Sequence, residues 1–256
     1  MVTENDVLNC KGWIALNRIS SLSNMHNVFF QNALCLDDLL EKICNNAQTS
    51  QNIQQASFEH LQQYIFNYLA SSSSLIDITR RFIKHYEGTK FYIDYENKVS
   101  VLFKNNDLSH FIKDLRNNQI HCDIPYPYLI TSFLNDKKLD VFFSTDDLLK
   151  SKYTWKAKSR NFIKQHGERI YLTGIFTNYT NLINAFYMWL YIEVTEYHKN
   201  DFIERDYLIK ESKMKMPNTP LVQYNLPMNK CDEMLESLKI LELMEILNKT
   251  STFPQK

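Results

Sequence analysis

Phe58, Leu61, Ile65, Tyr68, Ser72, Leu75, Thr79, Phe82 and Tyr86 step by three and four residues without a break. Side chains at those steps share one face of an α-helix, so the pattern predicts an amphipathic helix from about 52 to 87. Gly88 is placed to end it. Ser71 to Ser74 lie inside the segment, and a linker is the alternative there. The seam passes through them in register, however, and small side chains suit a close helix crossing. Only 4 glycines and 6 prolines in 256 residues leave few turning points, which favours long helices over a turn-dense β architecture.

The remaining patterns add helices and one exception. Residues 1–32 hold Trp13, Ile14, Leu16, Ile19, Phe29 and Phe30 among many Asn and Ser, and their poor periodicity predicts one short helix at most. Residues 36–46 predict a short helix with acids near its start, where the helix dipole favours them. Residues 89–105 fit two templates. Phe91, Tyr95, Val99 and Leu102 suit a helix, whereas Phe91, Ile93 and Tyr95, then Val99, Val101 and Phe103, suit a hairpin. Beyond Pro125, segments 128–134 and 139–144 predict a β-hairpin, an insertion over 126–145. A helix then starts at Ser144-Thr-Asp-Asp147, with Thr145 or Asp146 as its cap. Residues 170–199 predict a second long helix, 201–215 a polar one, and 216–230, with three prolines, an extended stretch. Met234 to Leu247 close the chain as an amphipathic helix. No internal repeat or linker interrupts this order. The expected architecture is mainly α: one helical bundle over 1–256 with two long helices and one small hairpin.

Charge and cysteine usage bound the setting. Net charge is zero, so no global field drives the protein onto nucleic acid, and any such binding is local. Five cysteines, odd in number and without a Cys-x-x-Cys pair, suit free thiols in a reducing cytoplasm, and no signal peptide is read at the start. No apolar run is long enough to cross a bilayer, so no membrane partner is expected. Gly-rich phosphate loops, His-x-x-x-His pairs and Gly-x-Ser-x-Gly elbows are absent, and neither a metal nor a cofactor is implied.

Residues that suit chemistry gather in 107–125. Leu108, Phe111, Ile112, Leu115 and Ile120 recur at helical steps, Asp107 is placed to cap the start, and Pro125 forbids continuation. Arg116 and His121 lie five positions apart, with Asn117 beside the arginine. A permanently charged guanidinium and an imidazole, the side chain that ordinarily titrates near neutrality, suit phosphate chemistry without a metal. When a 2′-hydroxyl attacks its own phosphate, His121 would take the proton and Arg116 would hold the phosphoryl oxygens. Asn117 would orient the phosphate or the imidazole. Five positions turn about 140° around an ideal helix, so both side chains point one way only if the helix loosens near His121. The competing reading pairs Arg116 with Asp114 or another neighbour at the surface and leaves His121 as a helix-end residue facing the dipole. Arg80 with His85 and Arg160 with His166 match the same loose spacing. The long helix upstream, the phrase Phe111-Ile-Lys-Asp-Leu-Arg-Asn117 and the helix end after His121 set the first pair apart.

That phrase and the run Arg116-Asn117-x-x-x-His121 resemble the signature of the HEPN superfamily (higher eukaryotes and prokaryotes nucleotide-binding domain) over roughly residues 50–125. The resemblance implies a helical fold, with helix rather than hairpin at 89–105. It also implies a metal-independent endoribonuclease with Arg116, Asn117 and His121 as catalytic residues and RNA as substrate. Members usually act as homodimers in which two motifs face each other across a cleft. Many serve as toxins or effectors in bacterial defence against phage, restrained by a regulatory or antitoxin protein.

One more stretch points toward RNA. Between 150 and 169 the chain carries Lys150, Lys152, Lys156, Lys158, Arg160, Lys164 and Arg169 against the single acid Glu168, with Tyr153, Trp155 and Phe162 interleaved. Lys156, Lys158, Arg160 and Lys164, with Lys113 from the preceding helix, would neutralise phosphates while Trp155 stacks on an unpaired base. The equal alternative is a solvated helix face with Trp155 in the core. A non-catalytic helical module that binds RNA or a partner protein is the rival to the enzyme.

Overall fold

The computed structural model describes residues 2–45, 51–132 and 138–212. Helices α1 (Glu4–Asn9), α2 (Lys11–Asn45), α3 (Gln51–Ile83), α4 (Lys90–Val99) and α5 (Asp107–His121) come first. Strands β1 (Tyr128–Ser132) and β2 (Lys138–Ser144) follow, then α6 (Thr145–Lys150), α7 (Ala157–Gln165), β3 (Arg169–Tyr171), α8 (Leu172–Tyr197) and α9 (Lys199–Ser212). The fold is mainly α with a small antiparallel sheet, as the patterning predicts. The extended stretch and closing helix expected over 216–247, and the hairpin turn at 135–137, lie outside the described residues. The described residues fall into two compact units, one of 2–16 with 184–212 and one within 17–183.

In the unit Asn17–Ile183 the three-and-four seam of α3 is the core. Leu61, Ile65, Tyr68, Ser72, Leu75, Thr79 and Phe82 are all buried, as is Tyr86 in the 3-10 turn that follows. The Tyr68 hydroxyl donates to the Phe176 carbonyl at 3.2 Å and shares a 2.9 Å bond with the Thr180 hydroxyl. Its ring meets those of Phe29 at 5.3 Å and Phe176 at 4.9 Å, so α2, α3 and α8 converge there. Ser71 and Ser72 are buried at the crossing, and the Ser72 hydroxyl donates to the Tyr179 hydroxyl at 3.4 Å. No linker breaks α3. Gly88, with φ of 82°, takes the left-handed conformation that stops the helix.

Three sequence expectations change here. Residues 11–45 form one 35-residue helix, not a short helix at most followed by another. Its buried positions Ala15, Ile19, Leu22, Phe29, Ala33, Leu36, Leu40 and Ile43 keep the three-and-four steps, with His26 filling the gap. Small and polar residues on the seam hid a continuous pattern. The cap of α5 is Asn106, whose side chain accepts the Ser109 N–H at 2.9 Å, and Asp107 is the first helical residue. Ser144, not Thr145 or Asp146, caps α6 by accepting the Asp147 N–H at 3.2 Å. Residues 89–105 are helical as expected, α4 continuing into a π-helical segment, Ser100–Lys104.

The sheet has the order β1-β2-β3 and is antiparallel throughout, with Tyr128 paired to Phe142 and Phe142 to Tyr171. The expected hairpin is present, and β3 adds a third strand. Gly167, with φ of 66°, turns the chain into β3, where its carbonyl accepts the Thr145 hydroxyl at 2.7 Å. Val141, Phe143 and Ile170 are buried on the inner face.

The unit of 2–16 with 184–212 has its own packing. Thr3 and Asp6 form a reciprocal capping box on α1. A Cβ on Gly12 would collide with the Asp201 carbonyl oxygen, so glycine is required where α2 begins. Buried His198 shares a 2.7 Å bond with the Asp201 carboxylate.

Candidate functional site

α5 is held on one flank by α7 and also packs against α3. Phe111 stacks on Phe162 at 4.8 Å and on Trp155 at 5.7 Å. The Trp155 indole N–H donates to the Leu148 carbonyl at 2.6 Å, and the residue is 7% exposed. Trp155 is therefore a core residue and not a base-stacking one: its ring is spent on Phe111 and its donor on the backbone.

Asp114 is the other tie between the two helices. It is 1% exposed, and its carboxylate accepts the Lys156 backbone N–H at 3.1 Å and the Ser159 hydroxyl at 2.7 Å. That places a carboxylate at the N-terminus of α7, where orphan N–H groups and the dipole favour it. The Lys156 ammonium stands 3.8 Å away. Tyr153 lies beside Asp114 and Asn117; burial and then the Asp114 charge raise its phenol above the usual range, and the Asn117 hydrogen bond opposes them.

Arg116 is half-buried, and its Nη1 donates to the Asn117 side-chain oxygen at 3.3 Å. It joins none of the ion pairs among the described residues, and Asp114, its expected partner in the surface reading, is engaged by α7 instead. The Arg116 Nε is covered and without a partner. Among the described residues the covered side-chain atoms in that condition are Ser109 Oγ, Arg116 Nε, Asn118 Oδ1 and Gln119 Nε2, all on α5. His121 is exposed as the last residue of α5. The loosening that a shared direction would need is absent: α5 stays α-helical through His121, and the Cys122 N–H donates to the Asn118 carbonyl at 2.8 Å. Arg116 and His121 of one chain thus stand about 140° apart around the axis. Exposed Ile120 and Ile124 flank the histidine.

The basic residues divide into three groups. Lys113 is exposed on α5. Lys156, Arg160 and Lys164, at four-residue steps, are exposed along α7, whose inward residues are Ser159, Phe162 and Ile163. Lys158 bends back, its ammonium donating to the Lys104 carbonyl and, at 3.3 Å, to the Asn105 side-chain oxygen. Of the rival pairs, His166 caps α7 with its ring 2.8 Å from the Phe162 carbonyl, and Arg80 pairs with Asp77 at 3.3 Å. The sequence carried no sign of Asp114 as a structural tie, since a lone acid in a helix gives no signal of a partner 42 residues away.

Among the described residues no group of three His, Cys, Asp or Glu side chains gathers as a metal site, and no helix is long and apolar enough to cross a membrane. The chain matches no family model, no curated protein and no solved structure.

Proposed function

We propose that the chain is a metal-independent endoribonuclease of HEPN type. The observation that carries this reading is Arg116: a half-buried, permanently charged guanidinium with no carboxylate partner among the described residues, beside Asn117. A partly buried cation without a counter-charge carries a desolvation cost, and a phosphate is a ligand that would offset it. His121, exposed at the end of the same helix, is the general base for the 2′-hydroxyl, and Asn117 orients the phosphate. Because α5 is regular, the site requires the motif of a second copy, so a homodimer belongs to the proposal. A role as a toxin or defence effector restrained by a regulatory protein follows the same reading. The regular geometry through His121 also favours a second reading, a helical module that binds RNA or a partner without cutting.

Cleavage of a labelled RNA tests this. The wild-type chain should cut in EDTA and leave a 2′,3′-cyclic phosphate. Arg116→Ala and His121→Ala should each slow cleavage by about 10²- to 10⁴-fold while the fold persists. His85→Ala and His166→Ala should leave the rate unchanged. An inactive His166 variant beside an active His121 variant would move the site to α7. A wild-type protein that binds RNA but never cuts it would replace the enzyme with the binding module.

A further inference from the structure

The outer face of the sheet carries an aromatic row that the α5 site does not use. Side chains alternate along a strand, so with Val141, Phe143 and Ile170 inward, Tyr128, Phe142 and Tyr171 point outward. These three are register partners across all three strands. Tyr126, two residues before Tyr128, lengthens the row. Successive ring centroids lie 5.6, 5.8 and 6.4 Å apart from Tyr126 through Tyr128 and Phe142 to Tyr171. Tyr126 is 57% exposed, Tyr128 40% and Tyr171 45%. A contiguous exposed aromatic strip of this kind marks an interaction surface.

Charge narrows the occupant. The Arg169 guanidinium sits 5.3 Å over the Phe142 ring, so the row already holds one cation by a ring face. Asp140 follows the outward parity of Phe142, two residues away on β2. Asp147 accepts the Tyr128 hydroxyl at 2.7 Å. Ring quadrupoles and two carboxylates attract cations and repel a phosphate backbone. We propose that this face docks an arginine-bearing peptide segment of a partner protein, guanidinium groups seating on Tyr128 and Tyr171 with Asp140 and Asp147 as counter-charges. The docking needs neither Arg116 nor His121 and stands apart from the ribonuclease reading.

Fluorescein-labelled hexa-arginine, hexa-lysine and hexa-uridine, titrated into the full chain, test it. Hexa-arginine should bind more tightly than hexa-lysine, because the planar guanidinium stacks on rings. Tyr128→Leu and Tyr171→Leu should each weaken hexa-arginine binding about 3- to 30-fold, while every carboxylate stays in place. Arg169→Ala should strengthen it by vacating the Phe142 ring. Arg116→Ala and His121→Ala should leave it unchanged, so failure of this proposal and failure of the enzyme are read separately. Equal binding by the tyrosine variants and the wild type would overturn the proposal. So would hexa-uridine binding that those same substitutions abolish, which would assign the face to nucleic acid.

Discussion

Asp114 shows how one side chain can couple a candidate site to its surroundings. Its carboxylate is buried, yet it answers to α7 rather than to the arginine two residues on. That choice leaves Arg116 unneutralised, which is the electrostatic condition the proposed phosphate site requires. Asp114→Ala should therefore act on stability first, by stranding the Lys156 N–H and the Ser159 hydroxyl. Each stranded group costs about 1–3 kcal/mol, so denaturant unfolding should show a loss of about 2–6 kcal/mol for the two together. Asp114→Asn, which keeps an acceptor, should lose less. The exposed Lys156 ammonium adds little at 3.8 Å, because water screens it.

At the scale of elements, α7 sorts its residues by period. Phe162 and Ile163 reach the core with Ser159, and Lys156, Arg160 and Lys164 face water. If that stripe tracks an RNA backbone, replacing all three with Gln should weaken binding and flatten its salt dependence. On a single strand the slope should fall by roughly 0.7 of a logarithmic unit for each phosphate the stripe no longer neutralises. An unchanged slope would make the stripe a solvated face only. Lys158 should matter less, since its ammonium is already held by Lys104 and Asn105. α2 teaches a different lesson. Its seam was present in the sequence, but alanine and histidine occupied positions where a search for large apolar residues finds gaps. Thirty-five residues of helix were legible by spacing and obscured by side-chain type.

For the whole molecule, the central question is how Arg116 and His121 could act together. A regular α5 separates them around its axis within one chain, so catalysis would need two copies. Mixing Arg116→Ala with His121→Ala protein should then restore part of the missing cleavage, because a mixed dimer brings one intact arginine to one intact histidine. Activity no greater than that of the separate variants, in a preparation shown by sedimentation to contain mixed dimers, would count against a shared site. The sequence by itself determined where α3, α5 and the hairpin run, because three-and-four or alternating periodicity belongs to the local chain. At 89–105 periodicity fits helix and hairpin alike, and the structure makes the segment helical. Only the tertiary structure decided that Trp155 is core, that Asp114 ties α5 to the start of α7, and that three residues at 169–171 form a strand. A partner distant in sequence leaves no local period, and a three-residue strand exists because β2 supplies its hydrogen bonds.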